Sequence, residues 1–210
     1  MSAKELQGEY YFANFPRRFR FPKTRYNLNI VNYVDKFIGQ VPAGATVLDA
    51  CCGDGYLGSR YLTTHRVLGF DCETEAVSHC SKAYPKGRYF LASAYALPLE
   101  DNSVDAIILS MAIEHFREPS RAVADLRRVL RPGGIIIVTT PNESSWLWIL
   151  IKHTWFRFFE GACKPYKKDI HPSPLNDASL KGLFPATGFE LLDLSKMTAA
   201  TTLALAARKR

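Results

Sequence analysis

Apolar residues recur at helical spacing over 27–39, at Leu28, Ile30, Val31, Val34, Phe37 and Ile38, and Pro42 with Gly44 stops the pattern. From there the chain alternates. Short apolar runs predict strands at 46–49, 66–70, 88–92, 104–110 and 135–140, with helical patterns near 56–63, 74–83 and 119–130 between them. The helix at 119–130 opens at Pro119 and stops before Pro132-Gly133-Gly134, and Pro141-Asn142 ends the strand after it. Strands separated by helices imply βαβ units, a parallel sheet and right-handed crossovers. Continuous runs such as Ile135-Ile136-Ile137-Val138 suit strands covered on both faces. The last third reads differently: an aromatic-rich segment at 145–160, a cationic loop at 164–174, a helix near 176–184, and strands at 188–194 and 201–207. Their short link predicts an antiparallel hairpin at the sheet edge.

With 210 residues, 47% of them hydrophobic, the chain can bury one substantial core, and a single domain over 1–210 is expected. The first seven residues contain no apolar signal region and no apolar run reaches 18 residues, so a soluble, cytoplasmic protein is expected. Five cysteines without a C-x-x-C pair read as reduced thiols. The net charge of +7 is uneven: residues 15–26, within a basic, aromatic arm at 1–26, hold five cations and no acid. Two readings stay open for the arm: a solvated segment whose aromatics pack on the domain, or a surface for nucleic acid, anionic lipid or an acidic carrier.

The stretch 47–55 joins a buried-strand pattern to a glycine turn and a helix, and Asp71 closes the next apolar run 22 residues after Asp49. An acid at that place can accept both hydroxyls of a nucleoside ribose. A dinucleotide turn would read G-x-G-x-x-G, but Cys51, Gly53 and Tyr56 hold those positions; no Gly-Lys-Ser or Gly-Lys-Thr of a P-loop is present. A ligand with a ribose and an amino acid but no phosphate suits the turn better.

Together with 67–71, 89–99, 103–108, Glu114-His115-Phe116, 126–141 and the strand opened by Gly188-Phe189-Glu190, this stretch resembles the class I S-adenosylmethionine-dependent methyltransferases, in the branch of the ubiquinone and menaquinone biosynthesis enzymes (methyltransferase type 11). The resemblance implies an α/β, Rossmann-like, seven-stranded, mostly parallel sheet with helices on both faces and an antiparallel C-terminal strand. It also implies S-adenosyl-L-methionine as cofactor and S-adenosyl-L-homocysteine as product. Carried over residue by residue, it assigns Asp49 to the cofactor ammonium, with Ala50 beside it, and gives Gly53 and Gly55 close backbone approach to the methionine part. Asp71 takes the ribose hydroxyls, Cys72 lies against the adenine, Ser93 and Ala94 flank it, and Ser110 lines the floor towards the acceptor. Two positions depart from the pattern: Cys51 stands where glycine is common, and Ser93 where an acid often meets the adenine amino group.

Methyl transfer from a sulfonium needs an aligned nucleophile and, for a hydroxyl acceptor, a base. His115, just past the fourth strand, is the leading candidate, and His171 the second. Metal is not expected, because Met111 replaces the first acid of the Glu-x-x-Glu-His cluster found in some ubiquinone O-methyltransferases, and Glu114 with His115 gives a hard cation too few ligands. At 100° per residue, 146–159 gathers Leu147, Trp148, Ile151, Trp155, Phe156, Phe158 and Phe159 on one side, opposite Lys152, His153, Arg157 and Glu160. This amphipathic helix, within an insertion at 143–175, is either a lid or an interfacial helix touching a membrane, with Lys164, Lys167 and Lys168 behind it. Both readings favour methylation of an oxygen or carbon of a small apolar metabolite such as a quinone precursor, lipid or natural product. An RNA methyltransferase is an alternative from the basic arm, although Ser110-Met111-Ala112-Ile113 is not an Asn/Asp-Pro-Pro-Tyr signature and nucleic acid is not the expected partner. A non-catalytic cofactor-binding protein is the other, from Cys51, Ser93 and Met111.

Overall fold

The computed structural model describes residues 25–150, 171–185 and 188–210, with side chains from Leu28 onward. The elements run α1 (Arg25–Ile38), β1 (Thr46–Ala50), α2 (Tyr56–Ser59), β2 (Arg66–Asp71), α3 (Thr74–Ala83), β3 (Arg88–Leu91), β4 (Val104–Ser110), a 3-10 turn (Ile113–His115), α4 (Pro119–Val129), β5 (Leu130–Pro141), α5 (Asp177–Gly182), β6 (Phe189–Met197) and β7 (Thr202–Lys209). The basic arm before residue 25 and the part of the amphipathic segment from 151 to 159 lie outside the described residues, as does the lysine cluster at 164–168.

The seven strands form one sheet in the order β3-β2-β1-β4-β5-β7-β6. β1 to β5 pair in parallel, whereas β7 runs antiparallel between β5 and β6. The chain works outward from β1 to β3, then returns to β4 on the other side of β1. This reversal opens a crevice beyond the carboxyl ends of β1 and β4, where open parallel sheets bind ligands.

Alternation along the strands divides the core into two layers. Val47, Ala106, Ile108, Ile135, Ile137, Ala204 and Ala206 face one side, where Ile30, Tyr33, Val34, Phe37 and Ile38 of α1 cover them. Leu48, Ile107, Leu109, Ile136, Val138, Leu203 and Leu205 face the other, against Ala122, Val123 and Leu126 of α4 and Leu180 of α5. Both faces are thus buried, which explains the unbroken apolar runs.

Three of the elements that differ from the expected bounds have a visible cause. α2 ends at Ser59 instead of continuing to 63, because the chain turns where Arg60 and Tyr61 both reach Asp35 of α1, at 2.7 and 2.6 Å. β5 begins at Leu130, pairs with Val104, breaks register across Gly133 (φ 79°) and resumes with Ile135 opposite Ala106. β7 extends to Lys209, whose ammonium is buried and donates to Asn102 Oδ1, Arg127 O and Leu130 O at 2.7, 2.7 and 2.6 Å. A lysine closing a strand with its charge inside has no signature in a hydropathy pattern.

Candidate active site

β1 delivers Asp49 to the crevice and then turns sharply. Cys51 adopts φ 55° and is followed by Gly53 at 53° and Gly55 at 71°, so three residues of the turn are left-handed. Only glycine does this without cost, and at Gly55 a side chain is also barred: a Cβ would lie 2.8 Å from Cys80 Sγ and 3.1 Å from the Tyr84 ring. The turn is tied to the end of β2, since Gly53 N–H donates to Asp71 Oδ2 at 3.0 Å and Glu73 N–H to Asp71 Oδ1 at 3.1 Å. Each carboxylate oxygen has a second lone pair, so Asp71 can still receive two ribose hydroxyls.

Asp49 is buried and accepts a hydrogen bond from Gly58 N–H at 2.9 Å. Burial pushes its carboxyl up to about 8, with the charges of Asp54 and Asp71 adding to the rise. Asp71 is also buried and also raised, chiefly by burial. Two buried carboxylates beside a glycine turn repel a pyrophosphate and attract a cation carrying a ribose. This chemistry fits S-adenosylmethionine, whose ammonium and sulfonium are both positive. Asp49, the 53–55 backbone and Asp71 are the residues that would hold it, and the activated methyl group is what it supplies.

The other expected cofactor residues fall on the same edge. Cys72 follows Asp71, half-buried, and Ser93 lies just past β3 with its Oγ accepting Tyr95 N–H at 3.2 Å. Burial raises the thiols of Cys51 and Cys72 above their ordinary range, so neither is a ready nucleophile. Ala50 and Ala94 are 1% and 0% exposed, which leaves only their backbones for a ligand. Ser110 closes β4 and shares a 2.7 Å hydrogen bond with Thr139 of β5.

The two histidines come together. The 3-10 turn carries Glu114 and His115, and the 171–173 strip docks on it through Ser173, whose N–H and Oγ donate to Glu114 O at 3.2 Å and Phe116 O at 2.7 Å. The rings of His115 and His171 meet edge to face with centroids 5.0 Å apart. Beneath them Glu114 is 1% exposed, accepts Thr140 Oγ1 at 3.0 Å and has its carboxyl pushed up to about 7 by burial. His171 Nδ1 bonds Glu143 Oε1 at 2.7 Å. This cluster borders the cofactor turn closely enough for Glu114 to contribute to the raised Cys51 thiol.

Sequence reasoning missed Gly58, Thr140 and Glu143. Gly58 had a signal, since a glycine inside a short helix calls for a packing reason. Thr140 and Glu143 had only their nearness to the end of β5.

Sheet order and turn together match those of the class I S-adenosylmethionine-dependent methyltransferases. Residues 48–138 match the family model described as a methyltransferase domain, of the type 11 branch. A Mycolicibacterium smegmatis protein named as a probable S-adenosylmethionine-dependent methyltransferase is 35% identical over 153 residues, which cover 72% of this chain and 54% of that one. The demethylmenaquinone methyltransferase of Renibacterium salmoninarum is 32% identical over 102 residues, covering 48% of this chain and 43% of that protein. The chain therefore spans about half the length of these relatives. Among solved structures, the [4+2]-cyclase SpnF aligns with a TM-score of 0.71 at 18% identity over 90% of this chain and 83% of its own, a likeness of fold alone.

Proposed function

We propose that this protein transfers the methyl group of S-adenosylmethionine to an oxygen or carbon of a small apolar acceptor. The observation that carries the reading is the pairing of two sites on one sheet edge: a doubly carboxylate-lined, phosphate-excluding turn, and a histidine pair beside it. The turn retains the cofactor's positive charge. The His115 and His171 imidazoles, set on Glu114 and Glu143, form the centre that draws the proton from an acceptor hydroxyl. As the acceptor oxygen bonds to the methyl carbon, the carbon–sulfur bond breaks, its electron pair stays on sulfur, and S-adenosylhomocysteine leaves.

An apolar acceptor is supported by residues 146–150, which are helical and capped by Ser145, whose Oγ accepts Trp148 N–H at 3.3 Å. Trp146, Ile149 and Leu150 stand 74, 43 and 48% exposed at i, i+3 and i+4 spacing, an apolar face suited to a lid over the acceptor or to a membrane surface holding it. No helix among the described residues is long and apolar enough to cross a membrane. The demethylmenaquinone relative acts on an acceptor of this kind. Because the SpnF fold also hosts a cyclase, the transfer itself needs a direct assay.

The assay is incubation with S-adenosylmethionine labelled in its methyl group and fractionated cell extract. Label in organic-soluble metabolites supports the reading, and label confined to RNA or protein overturns the acceptor class. No S-adenosylhomocysteine binding up to millimolar concentration in calorimetry would overturn the cofactor assignment itself.

A further inference from the structure

We infer that Glu114, His115 and His171 form a binding site for a divalent transition-metal ion, with Glu143 and Thr140 as its supporting partners. One ligating atom from each of the three lies within 4.8 Å of the other two, and Glu114 Oε1 stands 3.9 Å from His115 Nε2. That distance is too long for a hydrogen bond and close to the spacing of two donors on one ion. At metal–ligand bonds of about 2.1 Å, donors in one coordination sphere sit roughly 3 to 4 Å apart. Small rotations of the side chains would close the remaining gap.

The surroundings support the same conclusion. A metal-bound imidazole commonly gives its other ring nitrogen to a carboxylate, which fixes tautomer and orientation. Glu143 Oε1 meets His171 Nδ1 at 2.7 Å, and in the tautomer with the proton on Nδ1 this is that arrangement, with the ring's lone pair on Nε2. Glu114 is oriented by Thr140, whose hydroxyl donates to Oε2 at 3.0 Å. The backbone that carries His171 is pinned to the 3-10 turn by both hydrogen bonds of Ser173. Both flanking segments are therefore fixed before any ion arrives.

Two imidazoles and one carboxylate select the ion. Mg²⁺ and Ca²⁺ prefer oxygen ligands and geometries this set does not supply. Zn²⁺, Co²⁺, Fe²⁺ and Mn²⁺ accept a two-nitrogen, one-oxygen face and keep open positions for an oxygen ligand. The sequence alone argued against metal because it looked for a second acid at position 111; His171, 56 residues after His115, supplies the third ligand instead. The role of the ion rests on the proposed methyl transfer and replaces the imidazoles as proton acceptors: with both histidines bound to the ion, an acceptor hydroxyl on an open position would lose its proton to water more readily and be aimed at the methyl carbon.

The test is cobalt(II) titration of the purified full-length chain, read by visible d–d absorption and by calorimetry, with S-adenosylhomocysteine binding measured in parallel as proof of folding. We expect saturable binding of one ion per chain, competed by zinc. His115→Ala and His171→Ala should weaken it at least about 100-fold, and Glu143→Gln by about 10 to 100-fold, while each variant still binds S-adenosylhomocysteine. No saturable cobalt spectrum at millimolar metal in a protein that binds S-adenosylhomocysteine would overturn the site, as would a spectrum unchanged in both histidine variants. Metal binding without methyl transfer would leave the site standing and refute only the transfer.

Discussion

Replacing Gly58 by alanine sets two physical effects against each other. Helix propensity alone makes the change favourable by about 1 kcal/mol, because glycine is the weaker helix former. The site makes it unfavourable. A Cβ at Gly58 would lie 2.6 Å from Asp49 Oδ2, 2.9 Å from Asp49 Cβ and 3.1 Å from Asp49 Cγ. Asp49 cannot retreat with its strand, because β1 is paired on both sides, with Asp49 opposite Gly69 and Ile108. Either the carboxylate swings away or α2 lifts off, and both break the 2.9 Å bond from Gly58 N–H. A hydrogen bond to a charged group contributes about 1.5 to 3 kcal/mol. The same bond orients the carboxylate assigned to the cofactor ammonium, so, if that assignment holds, S-adenosylhomocysteine affinity should fall by roughly 10 to 150-fold. Urea unfolding at about pH 9, where the Asp49 carboxyl is ionised, should show a net loss of about 0.5 to 2 kcal/mol after the propensity gain is subtracted. Calorimetry and urea denaturation of Gly58→Ala check both numbers. A variant that is more stable than the parent and binds as tightly would refute the placement of Asp49.

Asp71→Asn should weaken S-adenosylhomocysteine binding by at least about tenfold, since an amide cannot accept from Gly53 N–H, Glu73 N–H and two ribose hydroxyls as a carboxylate does; equal affinity in calorimetry would dismiss the ribose assignment. Asp49 titrates higher in the folded chain, about 8, than the 3.8 of an exposed group, so its contribution to stability is present below pH 4 and lost as pH rises towards 8. Melting temperatures of the ligand-free protein should therefore decline over that window, with a shallower decline in Asp49→Asn, while S-adenosylhomocysteine affinity rises over the same window as the carboxylate ionises; parallel melting curves for parent and variant would count against it. Lys209→Met should cost about 1 to 2 kcal/mol in urea unfolding, because the buried Leu130 O and the part-buried Arg127 O lose their donor, along with the more exposed Asn102 Oδ1, and a loss below about 0.5 kcal/mol would show that the ammonium does not hold β7 to α4.

The sheet was legible because its signals are local. Ile135 to Val138 read as a covered strand from four residues, and the five parallel strands emerged from alternation with helical patterns. Elements whose bounds rest on contacts from elsewhere were not legible. α2 stops short because Asp35, 21 residues before it, captures Arg60 and Tyr61. β7 runs long because Lys209 finds its acceptors on segments 79 or more residues away. Neither partner set has a periodicity, so no reading of one stretch could supply it.

The site divides in the same way, and the division follows the chemistry. Holding the cofactor needs backbone at a tight turn and two acids at neighbouring strand ends, all within 47–71, so sequence order alone nearly specifies it. Cys51 is the exception: at φ 55° it occupies the backbone position where glycine costs least, which gives the departure a conformational meaning that the residue name lacked. Handling the acceptor's proton needs groups that meet across the sheet's edge. His115 comes from the turn after β4, Thr140 from the end of β5, Glu143 from just beyond it, and His171 from a strip pinned back by Ser173. Thr140 and Glu143 look ordinary in the chain, and nothing in the sequence shows that the two histidines, 56 residues apart, meet. On the proposed reading, one sheet edge holds Asp49 and Asp71 where the cofactor's positive charge would be retained and the imidazoles where a proton would leave, so it would serve both ends of a displacement.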